Sequence, residues 1–221
     1  MRQSFKGFST KFANARFSYL FSSIILLFML RPFLEGFTAL RNITTIFIWF
    51  ILISCGWAVH DTKRQRGIFL GIVVLAILTD FLDMFLSDAA LRLVPNIVGV
   101  IVFSYIVAVI FLYLIRQEEA TADMIMAAAS EYMLIGIMFS YIYSLIEAVH
   151  PGSFNLQNSQ GDPSVFLYFS FVTLTTAGYG DILPVSVSAR SFAILEQVTG
   201  QLFVAVAVAR LVGLYTSQKK H

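Results

Sequence analysis

The stretch Thr175-Thr176-Ala177-Gly178-Tyr179-Gly180-Asp181 lies between two long apolar segments of a 221-residue chain. Gly178 and Gly180 allow backbone angles that are closed to residues with a Cβ, so successive carbonyl groups can point at one axis. The Thr176 hydroxyl adds another oxygen, and oxygen ligands suit hard cations. Asp181 adds a negative charge at one end. This segment therefore has the chemistry to strip water from a cation, although an isolated Gly-Tyr-Gly is also compatible with an ordinary tight turn.

The composition is that of a membrane protein. Hydrophobic residues make up 58% of the chain and charged residues 13%, whereas about a quarter of the residues of a soluble domain are charged. Cys55 is the one cysteine, so an intrachain disulfide is excluded. We expect membrane lipid around the chain and no nucleic-acid partner.

Six apolar runs are long enough to predict membrane helices. The first is the least regular, because it contains Arg31 and Pro32 near its end. The N-terminal residues 1–16 combine aromatic and basic residues at helical spacing, which favours either an amphipathic cytoplasmic helix or a flexible basic tail. The six runs cover residues 17–34, 43–59, 68–86, 97–115, 124–149 and 187–214.

Basic residues are unevenly divided between the two sides of these runs. With a cytoplasmic N-terminus, the outer side holds only Arg31, Arg41, Arg92 and Arg190. Because basic loops remain on the cytoplasmic side, we expect both termini inside the cell, an outer position for residues 175–181, and insertion in the plasma membrane. The inner side then receives Arg2, Lys6, Lys11, Arg16, Lys63, Arg64, Arg66, Arg116, Lys219 and Lys220.

Between the fifth and sixth runs the chain makes one excursion of roughly 35 residues. Proline and glycine at positions 151 and 152 end the fifth helix. Asp162 and Pro163 then predict a helix start, opening a short helix from Ser164 to Leu174 that cannot cross a membrane. Non-helical backbone at membrane depth must be buried in protein or line water. Residues 176–180 are therefore predicted to lie inside an assembly.

This combination resembles the pore domain of tetrameric potassium channels, in particular the prokaryotic six-helix members of the pore-loop superfamily with one pore loop per subunit. The resemblance is strong from Tyr132 to Gly213 and holds only in outline before it. It implies an all-α membrane fold, a homotetramer around a central pore, and a filter whose carbonyls replace the hydration shell of potassium. The filter residues would be Thr176, Ala177, Gly178, Tyr179 and Gly180, with K+ bound at Thr176, Ala177, Gly178 and Tyr179 and no other cofactor.

The chain departs from the usual family pattern around this filter. Ala177 replaces a valine, which keeps the carbonyl but removes methyl groups that pack behind it. Val172 stands where some relatives have a supporting glutamate. Tyr168 and Phe169 stand where many relatives have tryptophans. Support must therefore come from other residues.

Four residues are candidates for filter support: Thr175, Asp181, Tyr168 and Glu196. Tyr168 either donates a hydrogen bond to Asp181 or only packs against its neighbours. Glu196 is expected to bond behind the short helix or to Arg190, because an unpaired carboxylate at membrane depth is costly.

In the last run, Gly200 matches the hinge glycine of potassium channels in residue type and in spacing from the filter. Glycine within a helix costs about 1 kcal/mol against alanine. Either bending at a hinge or close helix packing explains its presence. The cavity and inner mouth are predicted to be lined by Gly200, Val204, Val208 and Val212.

The fourth run has no lysine or arginine between residues 96 and 115. Because the membrane field acts on charge, this helix cannot supply steep voltage gating.

Residues 116–130 form either an interfacial linker helix or the start of the fifth helix. The sequence thus predicts residues 1–16 as N-terminus, 17–115 as a four-helix module, 116–130 as linker or helix start, 131–215 as pore domain and 216–221 as a short tail, with no soluble ligand-binding domain.

The leading function from sequence is a potassium-selective channel that passes K+ down its electrochemical gradient. Two alternatives remain, a non-conducting receptor or scaffold with a channel fold, and a subunit of a potassium uptake system. The intact filter motif argues against the first, and its single occurrence argues against the second. The three histidines lie in unrelated places, so no enzyme site is predicted.

Overall fold

The computed structural model describes residues 16–34, 43–59, 63–85, 93–156 and 164–218. Within these ranges the chain forms seven helices and one pair of two-residue strands. The predicted amphipathic N-terminus, up to residue 15, and the last three residues of the tail lie outside them. The elements in chain order are α1 (Arg16–Leu34), α2 (Ile43–Val59), α3 (Lys63–Phe85), α4 (Leu93–Arg116), α5 (Ala122–Val149), β1 (Phe154–Asn155), α6 (Val165–Leu174), β2 (Leu183–Pro184) and α7 (Val187–Gln218).

Three of the described helices, α4, α5 and α7, are long and apolar enough to cross a membrane. The apolar stretches in α1 and α3, Phe17–Leu30 and Phe69–Thr79, are shorter. The helical content and these three spans are those of an all-α membrane protein. The layout with six spans remains a prediction.

Several helices extend beyond the apolar runs from which they were predicted. α3 begins at Lys63 instead of 68, α4 begins at Leu93 instead of 97, and α7 continues to Gln218 instead of 214. Hydropathy marks only the apolar part of a helix, whereas backbone hydrogen bonding continues into the polar residues at its ends. Pro95 falls in the first turn of α4, where a missing N–H removes no helical hydrogen bond.

The connection between α4 and α5 is a short turn from Gln117 to Thr121. Thr121 caps α5, because its Oγ1 accepts a hydrogen bond from the Met124 backbone N–H at 3.2 Å. An N-cap of this kind satisfies one of the backbone donors that a helix start leaves unpaired. Most of residues 116–130 therefore belong to α5 itself, and no separate linker helix stands between the two.

Helix α1 runs parallel to α5, within the same chain. At one end, the Phe17 N–H donates to Asp123 Oδ1 at 3.3 Å, and the Phe17 ring lies 4.8 Å from that of Tyr113. At the other end, the Phe28 ring meets Phe171 of α6 edge-on at 4.6 Å. The first part of the chain thus packs directly on the part that carries residues 175–181.

A second apolar cluster, formed by α5, α6 and α7, surrounds Tyr143. The Tyr143 ring contacts Phe169 at 5.0 Å and Phe154 at 5.5 Å, both edge-on. Such pairs add about 0.5–1.5 kcal/mol beyond the area they bury.

β1 pairs with β2 antiparallel, with Phe154 opposite Pro184. This pairing joins the chain before α6 to the chain after residue 181 and fixes the position of α6.

Arg210 of α7 bonds to the end of α4. Its guanidinium donates to the backbone carbonyls of Leu114 at 3.2 Å, Ile115 at 2.7 Å and Gln117 at 2.8 Å. The last carbonyls of a helix have no partner within the helix and carry partial negative charge. Arg210 therefore satisfies them and ties α7 to the end of α4 and the turn that follows it.

We expect Arg210→Met to lower the thermal stability of the detergent-solubilised protein, because it leaves these carbonyls unpaired. Hydrogen bonds to charged groups contribute about 1.5–3 kcal/mol, and we expect a loss of about 2 kcal/mol, since the side chain is only partly buried. Arg116→Met, at an exposed position, is the matched control. Equal melting temperatures for the two variants would contradict the assignment.

Candidate functional site

The candidate site begins with helix α6, which is too short to cross a membrane. Its 10 residues cover about 15 Å at 1.5 Å per residue, or half of the roughly 30 Å hydrocarbon layer. It begins at Val165, with Ser164 in the N-cap position and no side-chain cap. The helix therefore starts one residue later than predicted, and Asp162 and Pro163 lie outside the described residues. Most of its side chains are buried, and Tyr168 is exposed.

Residues 176–180, which leave the end of α6, have an alternating backbone. Thr176, Gly178 and Gly180 have positive φ values of 58°, 58° and 79°, whereas φ is not positive at Ala177 and Tyr179. In a uniform extended strand, carbonyls alternate between two sides. Alternating the sign of φ turns each peptide plane so that successive carbonyls face the same side.

The backbone donors of this segment face α6. The N–H of Thr176 donates to the Thr173 carbonyl at 2.9 Å, and the N–H groups of Ala177 and Gly178 both donate to the Val172 carbonyl, at 2.9 and 3.3 Å. Among the described residues, none of the carbonyls from 175 to 180 accepts a backbone hydrogen bond. Residues 175–181 are exposed. The free side of the segment is therefore a row of carbonyl oxygens.

Thr176 is the one non-glycine residue with positive φ in the described chain. A β-branched residue rarely adopts this conformation, and holding it there costs about 1–3 kcal/mol. The hydrogen bonds to Thr173 and Val172 on either side oppose that cost. Strain of this kind accumulates at functional sites because the surrounding structure fixes the geometry.

The outer end of the segment is joined to α6 by Tyr168, whose hydroxyl donates to Asp181 Oδ2 at 2.7 Å. The sequence left open whether Tyr168 bonds to Asp181 or only packs against its neighbours, and the structure shows the hydrogen bond. That bond to the carboxylate, with smaller effects from burial and charge, raises the pKa of Tyr168 to about 12. The tyrosine hydroxyl therefore remains a donor at neutral pH.

Glu196 of α7 lies completely buried behind α6. One carboxylate oxygen accepts from Ser170 Oγ at 2.5 Å, and the other accepts from the Tyr143 hydroxyl. The Ser170 hydroxyl also lies 2.6 Å from the Gly136 carbonyl. Glu196 therefore bonds behind the short helix, and Arg190, the other expected partner, instead donates to the Pro184 carbonyl at 3.2 Å.

Gly200 packs against the end of α6. A Cβ built on it would lie 2.5 Å from the Leu174 carbonyl oxygen and 2.9 Å from Leu174 Cδ1. Gly200 is therefore buried and does not share a lining face with Val204, Val208 and Val212, which are exposed. At position 200 the structure shows contact with α6, and a lining by Val204, Val208 and Val212 stays a prediction. Close packing explains the glycine.

Four side chains that contact this region were not predicted from the sequence. The Tyr132 hydroxyl donates to the Leu174 carbonyl at 3.2 Å, and Gln201 Nε2 donates to Thr176 Oγ1 at 3.3 Å. Ser170 and Tyr143 hold Glu196. Polar groups at membrane depth are a usable signal, and Ser170 lies in the largely apolar α6, whereas Gln201 is one of several polar residues in the first half of α7. Tyrosine gives no such signal in a chain this rich in aromatic residues.

Carbonyl and hydroxyl oxygens are the cation ligands that this region offers. Among the described residues, no group of three or more His, Cys, Asp or Glu side chains is arranged to hold a metal ion. Thr175 Oγ1 is directed back to the Phe171 carbonyl at 2.7 Å. The Thr176 hydroxyl, in contrast, lies beside the exposed row of carbonyl oxygens.

Comparison with known proteins matches residues 127–217 to a family whose description is ion channel. The matched range contains most of α5 and all of α6, residues 175–181 and α7 up to its last turn. No curated protein and no solved structure matches the chain. The match supports the resemblance of this part of the chain to the pore-loop channel superfamily and indicates a transport protein and not an enzyme.

We expect Glu196→Ala to destabilise the protein strongly. The substitution leaves the Tyr143 hydroxyl buried without its acceptor, which costs about 1–3 kcal/mol, and removes the side chain that packs behind α6, whereas Ser170 keeps the Gly136 carbonyl as an acceptor. Thermal unfolding in detergent measures the effect, with Glu118→Ala at an exposed position as control. A Glu196→Ala melting temperature equal to that of Glu118→Ala would show that the cluster contributes nothing.

Gly200→Ala and Gly213→Ala form a matched pair on α7. Alanine at 200 collides with the Leu174 carbonyl, whereas nothing lies within 4 Å of a Cβ at 213. Alanine is favoured over glycine within a helix by about 0.5–1 kcal/mol. We therefore expect Gly213→Ala to be neutral or stabilising and Gly200→Ala to lower the melting temperature. If alanine at 200 instead stabilised the protein, the packing explanation would be wrong.

Proposed function

We propose that the chain is one subunit of a homotetrameric, potassium-selective channel that passes K+ down its electrochemical gradient. The observation that carries the proposal is the alternating φ from Thr176 to Gly180, with the N–H groups of residues 176–178 bonded to α6 and no carbonyl from 175 to 180 accepting a backbone hydrogen bond. Carbonyl rings that replace the water around potassium need this orientation. The ion-channel family match supports the transport class.

One chain supplies only one wall of such a filter. Residues 175–181 are exposed on the carbonyl side, and a lipid-exposed row of this kind is not stable at membrane depth. Four copies around an axis would bury the four segments against each other and surround the ion with carbonyls from all sides. Thr176, Ala177, Gly178 and Tyr179 would hold K+ as the transported ion, and Gly180 and Asp181 would form the outer end.

The proposed topology has six spans, both termini in the cytoplasm and the filter at the outer face of the plasma membrane. It rests on the distribution of basic residues and on the six long helices α1 to α5 and α7. Arg116, the last residue of α4, is the sole lysine or arginine in that helix. A helix without charge inside the membrane field does no electrical work, so we propose gating by something other than this helix.

Proteoliposome flux tests the function. We expect the protein to pass potassium much faster than sodium, with block by barium, and to run as a tetramer after cross-linking. We expect Gly178→Ala to abolish selective flux. An L-residue at positive φ costs about 1–2 kcal/mol, and rotation of the peptide plane that relieves this strain would turn a carbonyl away from the ion.

Gly152→Ala is the matched control for this experiment. Gly152 also has positive φ, 84°, and like Gly178 it has nothing within 4 Å of a built Cβ. Both substitutions therefore add similar strain, but only one lies in the carbonyl row. Equal potassium and sodium flux in the unaltered protein, or selectivity that survives Gly178→Ala, would contradict the proposal. A cross-linking ladder that stops at dimer would contradict the tetramer.

A further inference from the structure

Gln201 contacts the inner end of the carbonyl row. Its Nε2 donates to Thr176 Oγ1 at 3.3 Å, across 25 residues of sequence. Within the described residues, side chains bond residues 175–181 to the rest of the fold through Tyr168 at Asp181 and through Gln201 at Thr176. The two bonds hold opposite ends of the segment.

The position of Gln201 is fixed by its neighbour. Gly200 packs directly on Leu174, so α7 cannot rotate about its axis without a collision with α6. Successive helical residues are turned by about 100°, and Gln201 is therefore directed away from the buried side of α7. Its side chain is exposed in the single chain and lies beside the Thr176 hydroxyl. In a tetramer this is the pore side of the helix, just inside the filter.

The chemistry of the two groups is complementary. A threonine hydroxyl has one proton and two lone pairs, and a glutamine amide has two N–H donors and one carbonyl acceptor. When Nε2 donates to Oγ1, it occupies one lone pair and leaves the other for a cation. The amide oxygen is then held close to the same hydroxyl. One side chain thus orients Thr176 and brings a further oxygen to its inner side.

We propose that Gln201 is a positioning residue for the innermost cation site, where four amide groups orient the Thr176 hydroxyls and add a ring of amide oxygens facing the cavity. This proposal rests on the proposed function. The site would take a cation that has lost part of its water, and a divalent ion would gain most, because attraction to oxygen dipoles grows with ionic charge. The residue sets how strongly a cation is held at the inner entrance.

Barium applied from the cytoplasmic side in planar bilayers is the probe. Gln201→Leu keeps the size of the side chain and removes the amide, and we expect the half-blocking barium concentration to rise about tenfold, which corresponds to about 1.4 kcal/mol. Gln201→Asn retains an amide that is one methylene too short for Thr176, so it should resemble the leucine variant. Gln201→Glu replaces the amide oxygen with a charged one and should lower the half-blocking concentration below that of the unaltered protein.

Gln197→Leu is the control, since it removes the same amide one turn away on an exposed position of α7. It should leave the half-blocking concentration within about twofold of the original, well short of the tenfold change. Melting temperatures of all variants show whether a structural effect is present, because a purely structural role would change stability and leave barium block unaltered.

The outcomes separate this proposal from the one on which it rests. An unaltered protein that carries no selective potassium current contradicts the channel function. A selective, barium-blocked channel in which Gln201→Leu has the original half-blocking concentration contradicts the role of Gln201 alone. The same holds if Gln201→Asn and Gln201→Glu shift barium block in the same direction.

Discussion

The Val172 carbonyl, at the end of a ten-residue helix, accepts the N–H groups of both Ala177 and Gly178. This shared acceptor decides on which side of the segment the carbonyls lie, because a peptide N–H and its preceding C=O point in opposite directions. A segment without such bonds would relax Thr176 from its strained φ of 58°. The ability of residues 176–180 to present oxygens to an ion therefore depends on where α6 ends.

Everything around α6 keeps that end in place. Glu196 and Tyr143 hold its middle through Ser170, Tyr132 bonds its last carbonyl, and Gly200 lets α7 approach it without a side chain between. Here Val172 contributes its backbone, and the carboxylate comes from the following helix. Asp181 is bonded at the outer end by Tyr168.

Hydropathy located the helices in the sequence but not their ends or the strand pair β1–β2, and the spacing of Gly178 and Gly180 indicated the positive φ values that both have. The sequence left Glu196 with two possible partners and Gly200 with two possible roles, and it could not choose between them. Those choices depend on the rotation of α7 about its axis, which is set by contacts with α6 many residues away. Arg210 could have been suspected as the one basic residue between Leu202 and Leu214, but its partners are backbone carbonyls, which leave no mark in a sequence.

The central claim is that the carbonyls of residues 176–180 bind the transported ion, and anomalous diffraction from crystals of the protein soaked in thallium, a heavy substitute for potassium, tests it most directly. We expect a column of thallium peaks on a fourfold axis, between successive rings formed by these carbonyls and by the Thr176 hydroxyls. Replacement of thallium by sodium should remove the peaks. Thallium found only at surface carboxylates, or a segment whose carbonyls face away from the axis, would contradict it.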